Sequence, residues 1–218
     1  MFLIDLLRLN PARAERRRIF EAISRSNAWG GSESVSGPGS GVARASLFRP
    51  ALETLLRELD VRTLLDAPCG DFNWLSTFKL SLDRYIGVDI VPALIASNNA
   101  RHGAKQRRFY VADIVTDRFP RVDLILCRDG IVHFCDAELF ATLRNFKRTG
   151  SRWLLTNTFI EHAANPDIAT GSWRPVNLEQ PPFNLPKPLR VIDEHCEGDG
   201  GRYRDKRLAL WPLAQLPV

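Results

Sequence analysis

Five short apolar runs without alternation, at residues 63–66, 85–89, 108–112, 122–127 and 153–158, punctuate the middle of this chain, with helix-period stretches between most of them. A strand with one wet face alternates polar and apolar residues, whereas an unbroken apolar run marks a strand covered on both faces. The pattern therefore predicts an α/β protein with an open, mostly parallel, doubly wound sheet of the Rossmann-like kind. Upstream, residues 11–25 read as a helix, with Ile19, Ala22 and Ile23 at core spacing and Arg13, Arg16, Arg17 and Arg18 on the remaining surface. Ser46 is expected to cap a second helix reaching about Asp60, with Pro50 near its first turn and Phe48, Leu52, Leu55, Leu56 and Leu59 in one apolar stripe. Between these helices, the glycines and serines of Trp29-Gly-Gly-Ser-Glu-Ser-Val-Ser-Gly-Pro-Gly-Ser-Gly41 exclude a regular element and make a linker or a lid, with Trp29 at its entrance. After Phe159 the periodicity stops over residues 161–188, and two last strands follow at 189–195 and 206–211, joined by the turn-rich 197–201. The organisation expected is a helix with a Gly/Ser lid or linker at 1–45, then one domain at 46–218.

Composition narrows the class. A length of 218 residues with 44% hydrophobic and 25% charged positions suits one soluble globular domain, and 14 Gly with 14 Pro exclude collagen-like and wholly disordered chains. No apolar run reaches the roughly 20 residues of a membrane span. The opening Met1-Phe-Leu-Ile-Asp-Leu-Leu-Arg8 carries Asp5 and lacks both a charged leading region and a small-residue cleavage site, so a signal peptide is not expected and the cytoplasm is the expected compartment. Cys69, Cys127, Cys135 and Cys196 are far apart and contain no CxxC pair, which predicts reduced thiols. Cys127, His133 and Cys135 match no common zinc spacing, so no metal is expected. A net charge of +5 is a mild excess of Lys and Arg rather than a nucleic-acid tail, and no nucleic-acid partner is expected.

The chemistry lies at the carboxyl ends of the strands, where doubly wound sheets bind ligands. Four predicted strands end at or next to an acid: Asp66, Asp89, Asp113 and Asp129. Gly70 permits close approach of a ligand to the first turn, and Asp89, about 20 residues on, stands where a ribose diol is held. A dinucleotide needs GxGxxG to cradle its pyrophosphate; here the loop reads Pro68-Cys69-Gly70-Asp71-Phe72-Asn73, and Asp71 would repel that anion. A nucleoside without phosphates and with positive charge fits better, and S-adenosylmethionine is such a ligand.

The stretches Leu65-Asp-Ala-Pro-Cys-Gly-Asp-Phe72, Tyr85-Ile-Gly-Val-Asp-Ile90, Tyr110-Val-Ala-Asp-Ile114 and Asp123-Leu-Ile-Leu-Cys-Arg-Asp-Gly-Ile-Val-His-Phe134, in this order and spacing, resemble the successive motifs of class I S-adenosylmethionine-dependent methyltransferases, over about residues 61–159. The 29–41 segment is similar to the lead-in of an uncharacterised bacterial subgroup of them. The resemblance implies seven strands with the last antiparallel. It also implies a cofactor site that includes Pro68, Asp71 and Ile90, in which Asp66 and Gly70 shape the methionine side, Asp89 holds the ribose, Asp113 and the Ile114 backbone meet the adenine, and the segment from Arg128 approaches the methionine moiety. Pro68 and Phe72 replace the usual outer glycines of the first loop.

Methyl transfer needs alignment of the acceptor and, where the acceptor carries a proton, a base. His133, four residues past Asp129, is the expected base, with both residues on one face at the start of a helix; Glu161 and His162 are the alternatives. Gln180-Pro-Pro-Phe183 looks like a Pro-Pro-aromatic signature but falls well after the fifth strand, so it reads as a Pro-rich loop. The 161–188 segment is expected to wall the acceptor pocket with Trp173, Arg174 and Phe183. The expected reaction is methyl transfer to an O or N atom of a small molecule. The competing readings are a nicotinamide oxidoreductase, which Asp89 suits and the missing GxGxxG does not, and an RNA-modifying methyltransferase.

Overall fold

The computed structural model describes residues 10–197 and 199–218, so the sequence expectation for residues 1–8 lies outside the described residues. Seven strands form one sheet: β1 (Thr63–Asp66), β2 (Arg84–Asp89), β3 (Arg107–Val111), β4 (Leu124–Cys127), β5 (Trp153–Phe159), β6 (Arg190–Asp193) and β7 (Lys206–Pro212). Their order is β3-β2-β1-β4-β5-β7-β6, and β7 runs antiparallel to both neighbours while the other pairings are parallel. This is the Rossmann-like methyltransferase arrangement that the resemblance implies.

Alternating side chains of each strand enter two separate cores. Leu65, Ile125, Leu154, Ala209 and Trp211 face one; Leu64, Leu124, Leu126, Leu155, Leu208 and Leu210 face the other. Over β1, β2, β4, β5 and β7 both faces are largely buried, which is the physical reason that these runs lack polar alternation, whereas β3 and β6 each bury one residue. The second core is closed by α2 (Val42–Glu58) through Phe48, Leu52, Leu55 and Leu56, and by Ile95 of α3 (Pro92–His102). The first is closed by Leu139, Leu143 and Phe146 of α4 (Asp136–Arg148).

Helices between most strands were expected, yet among the described residues only β2–β3 and β4–β5 are joined by an α-helix. The aperiodic 161–188 segment does a helix's work: Val176, Leu178, Phe183 and Leu185 seal the first core, and Asn177 donates to the His162 carbonyl at 2.8 Å. Helix α2 starts a turn earlier than expected, at Val42, because the Glu33 carboxylate accepts the Val42 N–H at 2.8 Å from outside the helix. Ser46 is thus inside the helix, its hydroxyl on the Ala43 carbonyl, and Pro50 is mid-helix. A boundary at residue 45 cuts through this helix.

Helix α1 (Pro11–Ser26) begins as expected, with Asn10 accepting the Arg13 N–H and Pro11 in the first turn. Arg16, expected on its surface, is the helix's one buried residue. No described helix is long and apolar enough to cross a membrane, and among the described residues no cluster of His, Cys, Asp and Glu is placed to hold a metal ion.

Candidate active site

A cavity opens over the carboxyl ends of β1 to β4. Its floor is supplied in strand order by Pro68 and Gly70, by Asp89 and Ile90, by Asp113 and Ile114, and by Arg128, Asp129 and His133. Its roof comes from the N-terminal part of the chain, with Arg16, Phe20, Ser24 and Trp29, then Ser36 and Ser40. The Gly/Ser segment is therefore a packed wall of the cavity, with one short helical turn at Pro38–Ser40.

Asp71 holds that wall in place. Its carboxylate accepts from the Ser34 hydroxyl (2.9 Å), the Val35 N–H (3.1 Å) and the Ser36 hydroxyl (3.3 Å). Asp71, expected in the cofactor site, is not among the cavity-lining residues. Gly70, at φ +53°, lets the Ser36 hydroxyl come so close that a Cβ would stand 2.3 Å from it.

Asp66 also departs from expectation. It is not among the cavity-lining residues, and its side chain accepts the Tyr85 hydroxyl at 2.5 Å. Burial pushes its pKa from 3.8 to about 7, opposed by the Tyr85 hydrogen bond. The folded protein thus holds a proton on Asp66 that the unfolded chain releases between these values, so this contribution to stability is complete below about pH 4 and is lost as pH rises through 7. Asp66→Asn, neutral at every pH, should flatten the fall in unfolding free energy across that window. Parallel wild-type and variant profiles in a pH series of urea titrations would refute this.

Asp89 stands on the cavity floor, with one oxygen accepting the Gly70 N–H (3.1 Å) and the other the Val91 N–H (2.9 Å). Burial lifts its pKa to about 6, against the backbone donors that favour the anion. The remaining N–H groups of the first loop are also engaged: Cys69 on the Val88 carbonyl, Asp71 on the Ser36 hydroxyl, Phe72 on the Cys69 carbonyl and Asn73 on Asp71. A loop whose amides already have partners within the protein offers no free donors to a pyrophosphate.

Asp113 lines the cavity, but Arg16 grips it through Nη2 (2.6 Å) and Nε (3.2 Å), and Arg16 also reaches Glu138 at 2.8 Å. Asp113 further accepts the Val115 N–H and the Thr116 hydroxyl. Beyond β4, Arg128 pairs with Glu194 at 2.5 Å and donates to the Gly39 carbonyl at 3.0 Å. Asp129, at φ +53°, receives Lys206 at 2.6 Å and Arg128 at 3.3 Å. Despite its burial, these cations hold it well below the usual carboxylate range, so it remains an anion and takes up no proton near neutrality. The sequence expectation set it beside His133 as a catalytic group; in the structure both line the cavity, with the Asp129 carboxylate engaged by these two cations.

His133 closes the short helical turn Ile131–His133 rather than sitting on a longer helix with Asp129. Its Nδ1 lies 2.8 Å from the Ser172 carbonyl, which can only accept, so Nδ1 carries the proton and Nε2 the lone pair. The Trp29 ring stacks on the imidazole, centroids 4.3 Å apart and planes 20° from parallel. Burial lowers the His133 pKa, opposed by the Ser172 bond and by Asp129.

The expected acceptor wall does not form as read. Arg174 is a buried brace on Asp136 (2.6 Å) and on the Phe134 carbonyl, and Phe183 is core packed on Phe140. Trp173 is 40% exposed and is not among the cavity-lining residues. Sequence reading missed Arg16, Phe20, Lys206 and Glu194. For Arg16 a signal existed, since 16, 19, 20 and 23 share one helix face.

No family model and no curated protein matches the sequence. Among solved structures, the chain is similar to the methyltransferase domain of bacterial CtHen1, with 19% identity over 54% of this chain and 67% of that one and a TM-score of 0.46. It is similar to CalS10, an amino pentose methyltransferase from Micromonospora echinaspora, at 23% identity over 50% of this chain and 48% of that one, TM-score 0.43. It is also similar to the N-methyltransferase NodS from Bradyrhizobium japonicum WM9, at 16% identity over 51% of this chain and 62% of that one, TM-score 0.43.

Proposed function

We propose that this protein is an S-adenosylmethionine-dependent methyltransferase acting on an O or N atom of a small-molecule acceptor. The observation that carries the reading is the cavity floor, which combines a buried carboxylate at the end of β2 with a first loop whose amides are already bonded. A ribose diol finds an acceptor there and a pyrophosphate finds no donors, which favours a nucleoside without phosphates over a nicotinamide dinucleotide. In this reading Asp89 accepts the ribose hydroxyls, Ile90 and Ile114 flank the adenine, Pro68 and Gly70 allow close approach of the methionine portion, and Arg128 stands beside it. The bound cofactor supplies a methyl group activated by sulfonium. His133 takes the acceptor's proton at Nε2, with the Ser172 carbonyl fixing its tautomer and the Trp29 face supporting the imidazolium that forms.

Calorimetry with S-adenosylmethionine, S-adenosylhomocysteine and NAD tests the reading. Both adenosyl ligands should bind and NAD should not; no heat from either adenosyl ligand in the folded protein would overturn it. Asp89→Ala should weaken S-adenosylhomocysteine binding by about one to two decades, roughly 1–3 kcal/mol for two hydrogen bonds to a charged group. In the wild type the affinity should also decline as pH falls through about 6, where Asp89 takes up a proton. An affinity flat from pH 8 to 5 would remove Asp89 from the ribose.

A further inference from the structure

Helix α1 lays one face along the cavity: Arg16, Phe20 and Ser24, spaced at helical intervals, all line it. The stripe runs from Arg16, bonded to Asp113 just past β3, through Phe20, whose ring meets Phe134 edge-on at 5.9 Å, to Trp29, stacked on His133 past β4. Arg16 thus belongs to the β3 end of the cavity, and Trp29 to the end that accepts the proton.

A carboxylate has about four lone-pair positions. On Asp113 they are met by the Nε–H and Nη2–H of Arg16, the Val115 N–H and the Thr116 hydroxyl. The acid that the sequence resemblance sets against the adenine is therefore saturated from within the protein. Arg16 is not. Of the five N–H bonds that a guanidinium carries, Nε and Nη2 each give one to Asp113 and Nη1 gives one to Glu138. The other N–H on each terminal nitrogen has no partner among the described residues, on a side chain that is 4% exposed and lines the cavity. Donors held in so dry a place favour a ligand that brings an acceptor to them.

Resting on the methyltransferase reading, which sets the adenine between Ile90 and Ile114, we propose that Arg16 is a specificity-determining residue of the cofactor site: it donates to a ring nitrogen of the adenine, and Asp113 and Glu138 hold its guanidinium in place. The ring nitrogens of adenine are acceptors and its amino group is a donor. A side chain that only donates therefore reads the ring and not the amino group. The two acids fix the plane of the guanidinium, so its remaining N–H bonds point in set directions. Two anions also face this one cation, so the group suits a neutral acceptor rather than a phosphate.

The test is calorimetry on the full chain with S-adenosylhomocysteine and its 1-deaza, 3-deaza and 7-deaza analogues, each of which replaces one ring nitrogen by C–H. At least one analogue should bind the wild type about tenfold more weakly than the parent. In Arg16→Met that penalty should shrink to about twofold or less, because the donor it reports is gone. Arg16→Met leaves Asp113 without its cation, so the double variant Arg16→Met with Asp113→Asn, which removes the pair together, is measured alongside and should lose the penalty too. Comparing ligands on one protein cancels any general change in stability or affinity. Equal wild-type affinities for all four ligands, or a penalty that persists in the variants, would overturn the proposal. A folded variant that binds none of the four would make Arg16 a brace of the roof and overturn it as well. Failure of S-adenosylhomocysteine to bind the wild type would instead overturn the cofactor reading.

Discussion

His133→Ala is expected to lower turnover by about 10²–10⁴-fold while S-adenosylhomocysteine affinity stays nearly unchanged. The separation follows from position. The imidazole is held through Nδ1 by Ser172 and stacked under Trp29, so the free Nε2 can serve an acceptor, whereas the groups assigned to the nucleoside lie on the β1–β3 side. Because burial lowers its pKa below the ordinary 6.5, His133 is neutral at pH 7 and able to accept a proton. The wild-type rate should fall on the acid side as the ring protonates, and the variant should lose that limb. A variant that keeps wild-type turnover at every pH would show that alignment alone carries the reaction. Loss of cofactor binding together with thermal stability would show His133 to be a structural part of the Trp29 contact.

Glu194→Ala should destabilise the fold by about 3–5 kcal/mol, measured by urea unfolding at pH 7. Glu194 is 1% exposed and pairs with Arg128, lies 3.6 Å from Lys206, and accepts from the Asn157 amide. With the partly buried Asp129, the cluster holds two buried cations against two anions; removing the buried anion leaves a buried cation without compensation. The half-exposed Arg13–Asp117 pair, at 3.1 Å, gives the contrast: Arg13→Ala should cost no more than about 1 kcal/mol. Similar losses for the two variants would mean that water reaches the cluster.

The central strands were legible because burial on both faces favours apolar residues at successive positions, and β1 is found at the predicted residues, Thr63–Asp66. Asp89, Asp113 and Asp129 reach the cavity as strand-end acids should. Asp66 and Asp71 do not, and the difference lies in partners distant in the chain. The Tyr85 hydroxyl engages Asp66, and the serines of the N-terminal wall claim Asp71. Spacing within one motif carries no information about either partner. The start of α2 was missed for the same reason, because its first amide is capped by Glu33 from the preceding wall. Conversely, Trp29 was legible only as an aromatic at a loop entrance; its stacking on His133 depends on how α1 lies across the sheet.

The insertion of β7 between β5 and β6 also orders the assembly of the chain. Strand β6 has one neighbour in the sheet, and that neighbour is β7, which follows it in sequence. When β5 has joined β4, β6 has no edge to pair with until β7 has been laid antiparallel along β5. The later strand must dock first or arrive with β6 as a preformed hairpin. Glu194, just past β6, therefore meets Arg128 only once β7 has joined β5, so the charge cluster closes after that pairing. Its loss should speed unfolding and leave the refolding rate nearly untouched.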